Sequence, residues 1–110
     1  MTSPLHPTLA DGRWHTLSLA EQLGNIGSEV SRARRWRGVN DAKFSGAVDR
    51  GLELFDLTIT DPRWRTGRRE LTRVREFFVD ALEGGLTYHT TLDDLQRYCD
   101  SFAFRARSGR

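Results

Sequence analysis

One cysteine, three prolines and a single lysine are all that this chain of 110 residues has of those types, and no long apolar run interrupts it. Each shortage excludes something. Cys99 has no partner for an internal disulfide, and its place in an apolar stripe makes it a buried thiol of the kind a cytoplasmic protein keeps. A membrane-spanning helix needs about 18 consecutive apolar residues, so a membrane partner is not expected. The stretch from Met1 to Trp14 lacks the positive start and apolar middle of a secretory signal. The three histidines, His6, His15 and His89, fall outside the main helical stretches. No Glu-x-x-His triplet, which a metal site inside a bundle would want, is present. The arginine-then-histidine spacing of helical ribonuclease toxins is missing too. Ser18, Ser28, Ser31 and Ser45 have no histidine nearby to act as a base. Glu53, Asp56, Glu76 and Asp80 could meet as a two-metal cluster, but arginines close to each of them make ion pairing the simpler role. No zinc-finger spacing, ribonucleoprotein aromatic motif or recognition-helix pattern is visible. The expectation is a protein with no catalytic activity, no metal and no cofactor.

What is abundant is apolar spacing in steps of three and four. Leu19, Leu23, Ile26, Val30 and Ala33 form one such stripe, and Phe44, Val48, Gly51 and Phe55 a second. Leu71, Val74, Phe78 and Ala81 form a third; Leu92, Leu95, Cys99, Phe102 and Ala106 a fourth. At 3.6 residues per turn each stripe lies on one side of a helix. Four one-sided helices hide those sides against one another, which predicts an all-α, antiparallel up-down-up-down four-helix bundle. Residues 1–15 read as a flexible leader pinned at Trp14, 16–107 as the bundle and 108–110 as a tail.

Local signals set the boundaries. Ser18 with Glu21 makes a capping box for a first helix over 19–36, which ends at Gly38. Asn40 or Asp41 caps a second helix reaching about Thr58. Asp61-Pro62 starts a short turn through Trp64, ahead of a third helix over 68–83 that Gly84-Gly85 terminates. A fourth helix opens after Thr90 or Thr91 and runs to about Arg105. Gly24 and Gly27 each weaken the first helix by about 1 kcal/mol relative to alanine, so a neighbouring helix is expected to come close there. Leu52, Leu54, Phe55, Leu57 and Ile59 make a wide apolar end on the second helix, to be met by two helices or by another subunit.

The net charge is +2 and the pI about 9.2, a mild pointer to a polyanionic partner. Lys43 is the only lysine, so the cations are almost all guanidinium groups, which grip carboxylates and phosphates with two prongs. The topology gathers them at the two ends. Arg32, Arg34, Arg35 and Arg37 fall at one; Arg63, Arg65, Arg68, Arg69, Arg105, Arg107 and Arg110 at the other. Two readings stand side by side: solvated helix-end charges, or sites for a phosphate backbone. The candidate nucleic-acid contacts are Arg63, Arg65, Arg68, Arg69, Arg105, Arg107, Arg34 and Arg35. A second candidate constellation is polar and interhelical: Asn25, Glu29 and Arg32 border the first stripe, and Arg50 and Glu53 the second. It serves either register or a ligand. Trp36, Trp64 and Tyr88 near helix ends read as hydrophobic plugs or as interface anchors.

The segment from Leu23 to Arg32, followed by Phe44, Ala47, Arg50 and Leu52-Glu53-Leu54, resembles a bacterial family. These are the small four-helix-bundle proteins encoded within ribosomal-RNA intervening sequences, with the accessory variability proteins of diversity-generating retroelements among their relatives. The correspondence falls on Asn25, Ile26, Glu29, Arg32, Phe44, Leu52, Glu53 and Leu54, with Gly27-Ser28 interrupting the family's acid-glycine pair. It covers about the first half of the helical region. The resemblance implies a ring-forming homo-oligomer, pentameric in the accessory branch, whose basic surface contacts nucleic acid and a reverse-transcriptase partner. The expectation from sequence is therefore a cytoplasmic homo-oligomer that engages a nucleic acid or an acidic protein through its arginine-rich ends. The rival expectations are a structural bundle without nucleic-acid affinity and a small-ligand-binding bundle.

Overall fold

Ser18 separates the leading segment from the first helix, and its side chain sets where that helix begins. Its hydroxyl accepts the Glu21 amide hydrogen at 3.1 Å, and its own amide donates to Glu21 Oε1 at 3.0 Å. In this computed structural model, which describes residues 12–108, four helices follow one another: α1 Leu19–Trp36, α2 Asp41–Ile59, α3 Arg68–Leu82 and α4 Leu92–Ser108. Short 3-10 segments lie at Trp14–Thr16 and Pro62–Gly67. Of Phe102, Ala103 and 105–108 the backbone alone is described. No strand occurs among the described residues, and no helix is long and apolar enough to cross a membrane. Asn40 caps α2 by accepting the Lys43 amide at 3.0 Å. Thr91 and Asp94 close a reciprocal box on α4 at 3.1 Å each way. Gly38 (φ +75°) and Gly85 (φ +73°) take the left-handed conformation that lets the chain leave α1 and α3.

The buried stripes meet in one core of Leu23, Ile26, Val30, Leu54, Phe55, Leu71, Val74, Phe78, Leu92, Leu95 and Cys99. α1 lies between α2 and α4 and packs closely on both, whereas α3 meets α2 and α4 across a wider gap. Small residues explain the difference. A Cβ placed on Gly27 would stand 3.4 Å from the Cys99 Cβ, so α1 and α4 touch almost backbone to backbone. A Cβ on Gly51 would meet the Glu29 Cβ at 3.5 Å and the Phe78 ring at 3.3 Å. Phe78 and Phe55, with centroids 5.7 Å apart, fill the wider space towards α3. Arg34 at the end of α1 pairs with Asp93 at the start of α4, and Tyr98 in α4 donates to Glu70 at the start of α3. These contacts are compatible with an up-down-up-down course.

The glycine expectation needs one correction. Gly27 does sit at a close helix approach, but Gly24 faces open space, with nothing within 4 Å of a Cβ built there. The wide end of α2 also has a specific cover. Trp14 is fully buried against it and donates its indole N–H to Thr58 Oγ1 at 3.0 Å. Trp64 packs from the Pro62–Gly67 segment. The leader expectation for residues 1–11 falls outside the described residues, as does the tail at 109–110. Trp14, inside the expected leader, belongs to the core.

This end of the bundle is tied by a buried polar knot. Gln22 donates to the Trp14 carbonyl at 2.9 Å and to Asp61 Oδ2 at 3.1 Å, and accepts the Trp64 indole N–H at 2.8 Å. Asp61, 1% exposed, accepts Arg63 through both carboxylate oxygens, and Arg63 also donates to the Leu17 carbonyl at 2.6 Å. The Arg63 hydrogen bonds outweigh the cost of burial and hold the Asp61 carboxyl down at about 2. His15 Nε2 reaches the Leu57 carbonyl at 3.1 Å; a carbonyl only accepts, so this nitrogen carries the proton. At the other end, Asp80 organises the α3–α4 loop by accepting the amides of Thr87, Tyr88 and Thr90 at 2.8, 3.1 and 3.2 Å. Burial pushes its pKa up, but these amides together pull it below the usual carboxylate value.

Two outcomes follow from these contacts. Gly24→Ala should raise the unfolding free energy by up to about 1 kcal/mol in urea melts, since only helix propensity changes. Gly51→Ala should fall short of that gain, because Phe78 must shift. Asp61 titrates near 2 when folded, against 3.8 as a free side chain, so protons favour the unfolded chain. Its stabilisation, roughly 2 kcal/mol, is complete above the free-carboxyl value and fades as pH falls through about 2. In the Asp61→Asn variant, melts from pH 6 down to pH 2 should show a shallower loss than in the natural chain.

Candidate functional site

Arginines at both ends of the bundle are engaged by oxygens of the fold, and the grooves lie at one end. At the end with the larger expected cluster, Arg63 is engaged by Asp61 and Leu17. Arg68 donates Nε to the Ile59 carbonyl at 2.8 Å and so closes the C-terminus of α2. Arg65 and Arg69 are exposed. The side chains of Arg105 and Arg107 lie outside the described residues, and Arg110 does so entirely. Two of the arginines assigned to this cluster thus act as structural ties.

At the opposite end the cations converge on grooves. One groove, about 470 Å³, runs between α1 and α4 and is lined by Ser31, Arg34, Arg35, Arg37, Thr91, Leu92 and Asp93. The other, about 430 Å³, runs between α1 and α2 and is lined by Arg32, Trp36, Ala42, Lys43, Gly46 and Arg50. They flank the last two turns of α1. Arg34 reaches Asp93 at 2.6 Å. Arg37 donates to the Ala81 and Leu82 carbonyls at 3.0 and 3.1 Å, closing α3, so it is partly a structural tie as well. Arg35 lies 5.3 Å from the centre of the Trp36 ring and Lys43 Nζ 4.2 Å, a distance at which a cation is attracted to the indole face. Trp36 therefore joins the two grooves through the cations it holds.

The interhelical polar constellation lies under the second groove. Glu29, 4% exposed, accepts Arg50 Nε at Oε2 over 3.3 Å. Arg32 NH1 stands 3.0 Å from Oε1, an ion contact whose angle is not that of a hydrogen bond. One buried carboxylate thus anchors two guanidinium groups from two helices. Asn25 does not join them; its amide donates to the Glu21 carbonyl of its own helix at 2.8 Å. Glu53 is half-buried on α2, one turn beyond Arg50.

Lys43 and Trp36 were not among the expected site residues. Lys43, Gly46 and Arg50 fall at steps of three and four, so a cationic stripe on α2 was there to be read, as was the Arg32–Trp36 step on α1. The lining of both grooves holds neither histidine nor cysteine and is rich in cationic side chains, with Asp93 the one acid in it. Cys99, whose burial raises the thiol to about 12, adds no nucleophile at neutral pH. Among the described residues no group of histidine, cysteine and acidic side chains could hold a metal ion. No protein-family model matches this chain, and neither does a curated protein or a solved structure.

Proposed function

We propose that this chain is a non-catalytic binding protein that holds the phosphate backbone of a nucleic acid against the C-terminal half of α1. The observation that carries this reading is the pair of grooves on either side of that half-helix, which place Arg34 and Arg35 on one flank and Arg32, Lys43 and Arg50 on the other. Cations so placed displace the counterions of a phosphate chain, which supplies affinity with little base discrimination. The reading moves the main contact from the Arg63, Arg65, Arg68 and Arg69 end to the Arg34 and Arg35 end. It agrees with the basic nucleic-acid surface implied by the family resemblance.

A second reading, a bundle that self-associates or contacts another protein, is favoured by Val39 and Leu86. They stand 72% and 82% exposed on the α1–α2 and α3–α4 loops. Light scattering coupled to size exclusion separates a homo-oligomer from a 12.6 kDa monomer.

Fluorescence anisotropy with a labelled mixed-sequence 20-mer tests the main reading. With about four phosphate contacts, affinity should fall roughly 50- to 150-fold between 50 and 200 mM salt. Replacing Arg35 and Lys43 by alanine should flatten that salt slope by about 1.5. The pair Arg65→Ala and Arg69→Ala should change it less. Salt-insensitive or absent binding would end the proposal, and a larger effect from Arg65 and Arg69 would place the contact at the wrong end.

A further inference from the structure

The α1–α2 groove has a charge and shape that an ordinary stretch of phosphate backbone does not need. Of its lining residues, Arg32, Lys43 and Arg50 are cationic and none is acidic. Beneath it Glu29 is the carboxylate that anchors both guanidiniums. Over the lining and Glu29, three positive charges against one negative charge leave two. A phosphodiester inside a strand carries one negative charge, whereas a terminal phosphomonoester carries two once the pH is above about 6. We infer that this groove binds a phosphomonoester dianion at the phosphorylated end of a nucleic-acid strand.

The geometry supports this in three ways. Glu29 engages Arg32 through NH1 and Arg50 through Nε, and each guanidinium has further N–H groups. The side chains remain 54% and 36% exposed, so those donors are within reach of a ligand. Gly46 gives the Arg50 guanidinium its place. A Cβ at residue 46 would stand 3.2 Å from Arg50 NH1, so the guanidinium would have to give by a few tenths of an ångström, and a longer side chain there would take its place. Trp36 and Ala42 then supply an apolar wall beside the cations, suited to the sugar or base that follows the phosphate. At about 430 Å³ the groove lies within the range of small-ligand sites, roughly 300 to 1,000 Å³.

The strand part of this inference rests on the nucleic-acid reading above; the phosphate part does not. The test measures the full chain against one labelled 12-mer in three forms: 5′-phosphate, 3′-phosphate and hydroxyl at both ends. One phosphorylated form should bind at least tenfold more tightly than the hydroxyl form, and the difference should shrink as pH falls below about 6. Arg50→Gln should remove the preference. Gly46→Leu, which changes no charge, should remove it too, with weaker but still salt-dependent binding of the hydroxyl form. Circular dichroism confirms that each variant is folded, and either variant alone suffices. Equal affinity for all three forms would overturn this inference and leave the backbone reading standing. Absent strand binding together with binding of a nucleoside monophosphate, lost in Arg50→Gln, would overturn the backbone reading and retain the phosphate site. Inorganic phosphate competing at the same concentration as the nucleoside monophosphate would overturn the assignment to a strand end.

Discussion

The close approach of α1 to both of its neighbours is the constraint on which the rest of the structure depends. Backbone can come that near to backbone only where side chains are minimal. Gly27 against Cys99 and Gly51 against Glu29 supply those places. Two consequences follow. The grooves on the flanks of α1 are narrow enough for side chains from two helices to reach one point. The glutamate carried on the α1–α2 contact is buried, with its carboxylate held among guanidiniums. Wider axes, as on the α3 side where Phe55 and Phe78 fill the gap, would leave the same cations apart and in water.

The two ends of the bundle divide the work. Around Trp14, Gln22, Thr58, Asp61, Arg63 and Trp64, polar groups satisfy one another and close the core, with Arg63 serving an aspartate that water hardly reaches. Such a knot is costly to break, because removing one partner leaves another buried without a hydrogen bond. At the opposite end, Arg35 and Lys43 rest on an indole, a weak hold that keeps a cation in place without neutralising it. Net charge alone does not distinguish the ends. What distinguishes Arg35 and Lys43 from Arg63 and Arg68 is that they rest on a ring rather than on an oxygen.

That distinction also explains what could be read from the sequence. The Ser18-Glu21 box, the start of α1 at Leu19, the cap at Asn40 and the turn at Asp61-Pro62 are local signals, formed by residues within a few positions of each other, and each was legible. The stripes through Leu23, Phe55, Phe78 and Leu95 were legible for the same reason. Arg63 and Arg37 looked like surface charges because the carbonyls they serve, at Leu17 and at Ala81 and Leu82, lie 46, 44 and 45 residues away. Gly24 and Gly27 looked alike because helix propensity does not see the neighbouring helix; only α4 tells them apart. Trp14 was placed as a pin on a leader, whereas its partner Thr58, 44 residues on, makes it part of the core. The Glu29–Arg50 pair was within reach because two antiparallel helices with a short turn bring their facing residues into register.

Glu29 is the residue whose presence stability explains least. A buried ion pair recovers about as much from its charges as it loses by leaving water, and an apolar side chain of similar size commonly does as well or better. The α1–α2 contact, with Ala47 and Gly51 at hand, has no need of a carboxylate to pack. What an apolar residue there could not do is point two guanidiniums in one direction. Without the carboxylate, Arg32 and Arg50 would repel each other and turn outward on long, flexible side chains. With it they stand side by side, partly exposed, at the floor of a groove where Lys43 adds its charge. A buried acid that weakens the core only slightly, yet arranges cations ahead of any ligand, lowers the ordering cost of binding an anion. In the proposed anion site Glu29 is thus a positioning residue, buried and in contact with both guanidiniums.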